Sequence, residues 1–211
     1  MRQVCEEEEK PSFPPVRRCL APGYACGMYE QPTPLPPGTP APDFTLPRSQ
    51  HASVSFNDFR GRRLVLAYYP ADWEPVSREQ LTLYQEYLPT FRNLRAEVIG
   101  ISTDEIWCHA AFAREIGILY PLLADSHPKG AVARAFGVYL EHKESINRAL
   151  FVIDEQGTIR WSQAYPALVN PGVDSILRAL EPMGQPRMQR SGKRMKAGKH
   201  DAGNGFQRRI L

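Results

Sequence analysis

Leu64-Val65-Leu66-Ala67-Tyr68-Tyr69 is a run of six apolar or aromatic residues with no polar break. A strand covered by protein on both faces reads this way, as in a mostly parallel α/β sheet, whereas a half-exposed strand alternates. Pro70 ends the run, and Pro75 is placed to shape the entry to a helix. Leu81, Tyr84, Leu88 and Phe91 then follow at spacings of three and four, the stripe of a helix packed on that strand. Ser77 falls in the first turn, where unpaired N–H groups and the positive end of the helix dipole converge. Two readings of Ser77 are open at this point: a group placed where an anion is favoured, or a plain N-cap.

The rest of the chain supplies partners for the strand. Val54 to Phe56 reads as a short strand and Phe59-Arg60-Gly61-Arg62 as a turn. Glu97 to Ser102 is a second buried strand, and Thr103-Asp104 offers a cap for a helix over 105–116 with Ile106, Ala110 and Ala113 on one face. Pro121 to Asp125 is extended, and Lys129 to Phe136 is a short helix ended by Gly137. Ala149 to Ile153 and Thr158 to Ser162 form a hairpin around Asp154-Glu155-Gln156-Gly157. A last helix runs from Pro171 to about Glu181, with Val173, Ile176, Leu177 and Leu180 on one face. The order β-α-β-α, then β-β-α, is the thioredoxin arrangement with insertions: an α/β fold with a central mixed sheet flanked by helices.

Three segments follow from composition. Residues 1–38 are a Pro-rich arm, since residues 1 to 42 hold ten of the twenty prolines and no periodic apolar pattern. Residues 39–181 are the folded domain. Residues 182–211 are a basic tail with eight Lys or Arg and one Asp, so a net charge of +3 hides −4 on the body and +7 on the tail. The acidic body argues against nucleic-acid binding outside the tail, where an electrostatic tether to nucleic acid or an acidic partner competes with a solvated extension. No apolar run approaches the ~18 residues that span a membrane. With no secretory pattern after Cys5, the expected compartment is the cytoplasm, and the four cysteines (Cys5, Cys19, Cys26, Cys108) are expected as thiols. The spacings of the first three match no compact zinc pattern, so no metal is expected.

Several segments, in order, resemble the peroxiredoxin family of alkyl hydroperoxide reductases and thiol-specific antioxidant proteins. They are Ala41-Pro42-Asp43-Phe44, Tyr69-Pro70-Ala71-Asp72-Trp73-Glu74-Pro75-Val76, Ile99 to Asp104, Pro121 to Asp125, Ala135-Phe136-Gly137-Val138 and Arg148 to Asp154. The resemblance covers about residues 39 to 181. It implies a thioredoxin-like fold with peroxiredoxin-type insertions and thiol-dependent reduction of hydrogen peroxide or organic hydroperoxides. It further implies a thioredoxin-like reductant, often a homodimer, and no metal, haem or flavin. The family's site is P-x-x-x-[T/S]-x-x-C plus a distant Arg. On this chain Pro70 matches the Pro, Glu74 stands where Thr or Ser is usual, Ser77 stands where the peroxidatic Cys would be, and Arg148 matches the Arg. Arg148 is therefore expected to point toward Ser77.

Ser77 is the departure that matters. A hydroxyl stays protonated at neutral pH, and a helix-dipole contribution of ~0.3–1 kcal/mol does not ionise it. Oxygen also has no counterpart to the sulfur oxidation ladder. Glu74 adds a carboxylate that would oppose a thiolate, although some bacterial members look like D-W-E-P-V-C here. Three readings stay open: loss of the nucleophile and conversion to a binding or redox-sensing module, replacement of a native Cys by a near-isosteric Ser, or transfer of thiol chemistry to Cys108. Cys108 lies near a helix start on the same sheet edge, if the two strands are parallel, and a protonated His109 beside it would lower its pKa. The competing reading makes Cys108 a small buried hydrophobe and His109, like His127 and His142, a surface helix residue.

Overall fold

A computed structural model of the protein describes residues 33–181. The Pro-rich arm with Cys5, Cys19 and Cys26, apart from its last residues, and the basic tail lie outside the described residues. The elements in order are β1 (Thr45–Ser49), β2 (Ala52–Ser55), β3 (Arg63–Tyr68), α1 (Pro75–Glu86), α2 (Leu88–Asn93), β4 (Ala96–Ser102), α3 (Ile106–Ile116), β5 (Leu122–Ala124), α4 (Ala131–Ala135), β6 (Tyr139–Leu140), β7 (Ser145–Ile146), β8 (Ala149–Ile153), β9 (Ile159–Ala164) and α5 (Asp174–Leu180). A five-stranded sheet has the order β5-β4-β3-β8-β9. β3 pairs parallel with β4, and β4 with β5, while β8 runs antiparallel to both β3 and β9.

The apolar run is the middle strand, and its two faces feed two cores. Val65, Ala67 and Tyr69 pack with Leu81, Tyr84, Phe91, Phe112, Ile176 and Leu180 from the helices on one side. Leu64, Leu66 and Tyr68 pack on the other side with Phe44, Phe56, Phe136 and Phe151. Burying each such large side chain contributes about 1.5–3 kcal/mol, so a strand apolar on both faces is stable only in this sandwiched position. Among the described residues, no helix is long and apolar enough to cross a membrane.

Four local expectations are corrected. The helix expected to carry Leu81 through Phe91 is two helices, broken at Tyr87. Pro89 has no N–H to donate to Gln85, and its ring would clash with that carbonyl in a continuous helix. The stripe is nevertheless buried throughout. α3 buries His109 and Phe112 and leaves Ala110 exposed, because the loop after β3 supplies Asp72 to the imidazole and the Trp73 ring to Phe112, 5.2 Å between centroids. Asp104 does not cap α3: its N-cap is Glu105, and the Asp104 carboxylate instead accepts from the Ser102 hydroxyl at 2.7 Å and the Asp72 N–H at 2.9 Å. α5 starts at Asp174, not in the turn of Pro171, since Gly172 has a φ of +67° that no helix continues through.

Candidate functional site

The register of the sheet assembles the site. Tyr68 of β3 lies opposite Ala149 of β8, so Arg148 stands beside the point where the chain leaves β3 for α1. Ala149 in turn pairs with Ala164 of β9, and the Tyr165 N–H donates to the Arg148 carbonyl at 2.8 Å, which brings the backbone of Ala167 within reach. α1 begins on Glu74 as N-cap, with Pro75 in the first turn. Glu74 Oε1 accepts from the Val76 N–H at 3.1 Å, and Oε2 accepts from the Ser77 N–H at 2.6 Å. Ser77 is therefore not the cap. It is the third residue of the helix, fully buried, and its hydroxyl donates to Glu74 Oε2 at 2.7 Å.

Arg148 closes the group. Its guanidinium has no exposed surface and donates to Glu74 Oε2 at 2.7 Å, to the Ala167 carbonyl at 2.9 and 3.2 Å, and to Gln80 Oε1. Both terminal nitrogens lie 3.5 Å from Ser77 Oγ, so Arg148 does point at Ser77. Gln80, one turn on from Ser77, is fully buried and passes a bond to the Tyr84 hydroxyl at 3.2 Å. Sequence reasoning missed Gln80. A polar residue inside the apolar stripe of α1, three after Ser77, was the available signal. Burial by itself would raise the Glu74 pKa, but hydrogen bonds from Ser77, Arg148 and the N–H groups of Ser77 and Val76 outweigh it and hold the carboxyl below its ordinary value. Pro70, half-buried, serves the loop between β3 and α1 and makes no polar contact of its own with this group.

A second polar group lies on the same sheet edge, since β3 and β4 are parallel and their following loops meet there. Asp72 is fully buried. Its carboxylate sits 2.9 Å from His109 Nδ1 through both oxygens and accepts from the Tyr69 hydroxyl at 2.8 Å. Trp73 Nε1 donates to Cys108 Sγ at 3.1 Å. The surface placement expected for His109 is corrected: it is 2% exposed, held by Asp72, and His127 and His142 are the exposed ones. The lowered thiol pKa expected for Cys108 is corrected too. Burial and a hydrogen bond to Asp72, with the charges of Asp72 and Asp104, push it up to about 11 against the opposing hydrogen bond from Trp73. One ligand atom each from Asp72, Asp104 and Cys108 lie within 4.8 Å of one another. Those atoms already serve Tyr69, His109, Ser102 and the Asp72 N–H, and the sulfur is held as a neutral thiol, so the group reads as an internal brace between two loops.

A mixed sheet with parallel β3 and β4, an antiparallel β8-β9 hairpin and helices on its faces is a thioredoxin-like fold. The family model described as AhpC/TSA family matches residues 37–162. The chain is 32% identical over 155 residues to Peroxiredoxin-1 of Gallus gallus, covering 68% of this chain and 77% of that protein. It is 33% identical over 127 residues to Alkyl hydroperoxide reductase E of Mycobacterium tuberculosis, covering 60% and 83%. Among solved structures, Enterococcus faecalis AhpC superposes with a TM-score of 0.64 at 30% identity over 70% of this chain and 91% of that one. Peroxidoxin BcpB from Mycobacterium tuberculosis gives 0.65 at 26% identity over 72% and 99%. The chain belongs to the AhpC/TSA family, the peroxiredoxins.

Proposed function

We propose that this protein is built on the thiol-peroxidase plan of its family, for hydrogen peroxide or organic hydroperoxides, and that with Ser77 at the nucleophile's position it does not turn them over. The observation that carries the reading is the placement of the Ser77 hydroxyl: first turn of α1, buried, 3.5 Å from the guanidinium of Arg148. A thiolate there would attack the peroxide O–O bond and become sulfenic acid, which a thioredoxin-like reductant would return to thiol. The alcohol does neither. Cys108 does not replace it, because a thiol titrating near 11 is almost wholly protonated at neutral pH. Pro70, Glu74 and Arg148 are the other site residues in this reading. A homodimer and a cytoplasmic setting come with the family plan and the thiol content.

The alternative is a non-enzymatic redox-sensing or interaction module on the same fold. Trp73 at 51% and Trp107 at 66% exposure, on the loop before α1 and the start of α3, favour the interaction form. Peroxide consumption with thioredoxin, its reductase and NADPH separates the two. The chain with Ser77 is expected to be silent, and Ser77→Cys is expected to acquire sulfenic acid at residue 77 under stoichiometric hydrogen peroxide. Turnover by the Ser77 chain would refute the reading, and silence of both would favour the module.

A further inference from the structure

We propose that Glu74 is an internal gate on this site: its side chain closes the approach to residue 77, and its charge cancels the Arg148 charge that would otherwise favour an anion there. The proposal deepens the reading of residue 77 as the peroxidatic position and rests on it.

Burial supports the closure. Ser77, Gln80 and Arg148 have no exposed surface, whereas the Glu74 side chain retains 24%. Of these four side chains, Glu74 is the one that reaches the surface, and it is bonded directly to Ser77. Its Oε2 takes three donors at once: the Ser77 N–H, the Ser77 hydroxyl and Arg148. The Ser77 N–H and Arg148 would otherwise be open to an oxygen of an incoming peroxide, and a carboxylate of the chain already holds them.

Distance supports the charge effect. Ser77 Oγ lies 2.7 Å from the Glu74 oxygen and 3.5 Å from either Arg148 nitrogen. Coulomb energy falls with distance, so a negative charge at position 77 meets the nearer repulsion first and gains no net help from the pair. The carboxyl is held below its ordinary pKa and stays charged at neutral pH. Replacing the nucleophile alone therefore does not restore a fast site.

The experiment uses the full chain carrying Ser77→Cys alone, with Glu74→Gln, or with Glu74→Thr. Gln keeps the size and one of the two cap bonds without the charge, and Thr is shorter yet still a favoured N-cap. Each is treated with hydrogen peroxide, and sulfenic acid at residue 77 is trapped and followed by peptide mass spectrometry, which sets aside the other four thiols. In the step, the thiolate sulfur attacks one peroxide oxygen. The S–O bond forms as the O–O bond breaks, sulfur gives up two electrons, and the second oxygen leaves as hydroxide and is protonated to water. Ser77→Cys alone is expected to react slowly at pH 7. Removing the carboxylate charge is expected to raise the rate about tenfold, the effect of one pKa unit on the thiolate fraction, and to move the pH profile to lower pH. Equal rates and pH profiles in all three variants would overturn the gate while leaving the peroxidatic reading intact. No oxidation at residue 77 in any variant, each with a native circular-dichroism spectrum, would overturn both. If Glu74→Thr fails to fold, the comparison of Ser77→Cys with and without Glu74→Gln decides the matter.

Discussion

Replacing Glu74 with Ala in the chain carrying Ser77 tests the architecture of the site without any chemistry. Two effects add. The helix loses its N-cap, which costs about 1 kcal/mol. Arg148 loses its counter-charge while remaining fully buried. Breaking a fully buried pair costs about 3–5 kcal/mol, but Glu74 is 24% exposed and Arg148 keeps the Ala167 carbonyl and Gln80, so about 2 kcal/mol is the reasonable share here. The sum is about 3 kcal/mol. With a urea m-value of about 2 kcal/mol/M, the midpoint should fall by about 1.5 M at unchanged m. Glu74→Gln keeps one of the two cap bonds and should lose about half as much. Urea titration followed by circular dichroism reads both. A shift below about 0.5 kcal/mol for Glu74→Ala, or a larger loss for Gln than for Ala, would falsify the view that Glu74 both caps α1 and compensates Arg148.

Acid should expose the same pair. The Glu74 pKa is lowered on folding, so its contribution is fully present above the unfolded value of 4.5 and is lost as pH falls below it. Glu74→Gln should therefore flatten the acid limb of the stability curve, and an unchanged slope between pH 5 and 3 would count against the pairing. Cys108, with a pKa pushed to about 11, should be alkylated by iodoacetamide at pH 7.5 roughly two orders of magnitude more slowly than a free thiol of pKa ~8.5. Site-resolved mass spectrometry measures this, and reaction at the free-thiol rate would refute the protected environment. Gly100 sits in β4 where a Cβ would fall 2.6 Å from Leu122 Cδ2 and 3.1 Å from the Tyr69 ring. Gly100→Ala should therefore cost about 1–3 kcal/mol by overpacking, and a neutral melting temperature would show that the leucine side chain simply moves aside.

Much of the architecture was legible in one dimension because its signals are local. The unbroken run Leu64–Tyr69 demanded cover on both faces, and β3 has it. Arg148, 71 residues from Ser77, could be named in advance only because a family resemblance tied the two motifs together; neither spacing nor hydropathy does so. The break at Tyr87 was readable from Pro89, yet the apolar stripe runs through it and masks the interruption.

Side-chain environments were a different matter. His109 reads as an ordinary helix residue beside Cys108 until β3 and β4 pair in parallel and the loop after β3 delivers Asp72 to its ring. The same folding step partly buries Cys108 and sets Asp72 and Asp104 beside it, which turns an expected pKa decrease into an increase. A carboxylate at 74 was visible in the chain, but its reach across to Arg148 was not. Residue identity and short-range periodicity determine which segments become strands and helices. Electrostatic surroundings and access depend on groups that are distant in the chain, and only the tertiary packing brings them within 3 Å.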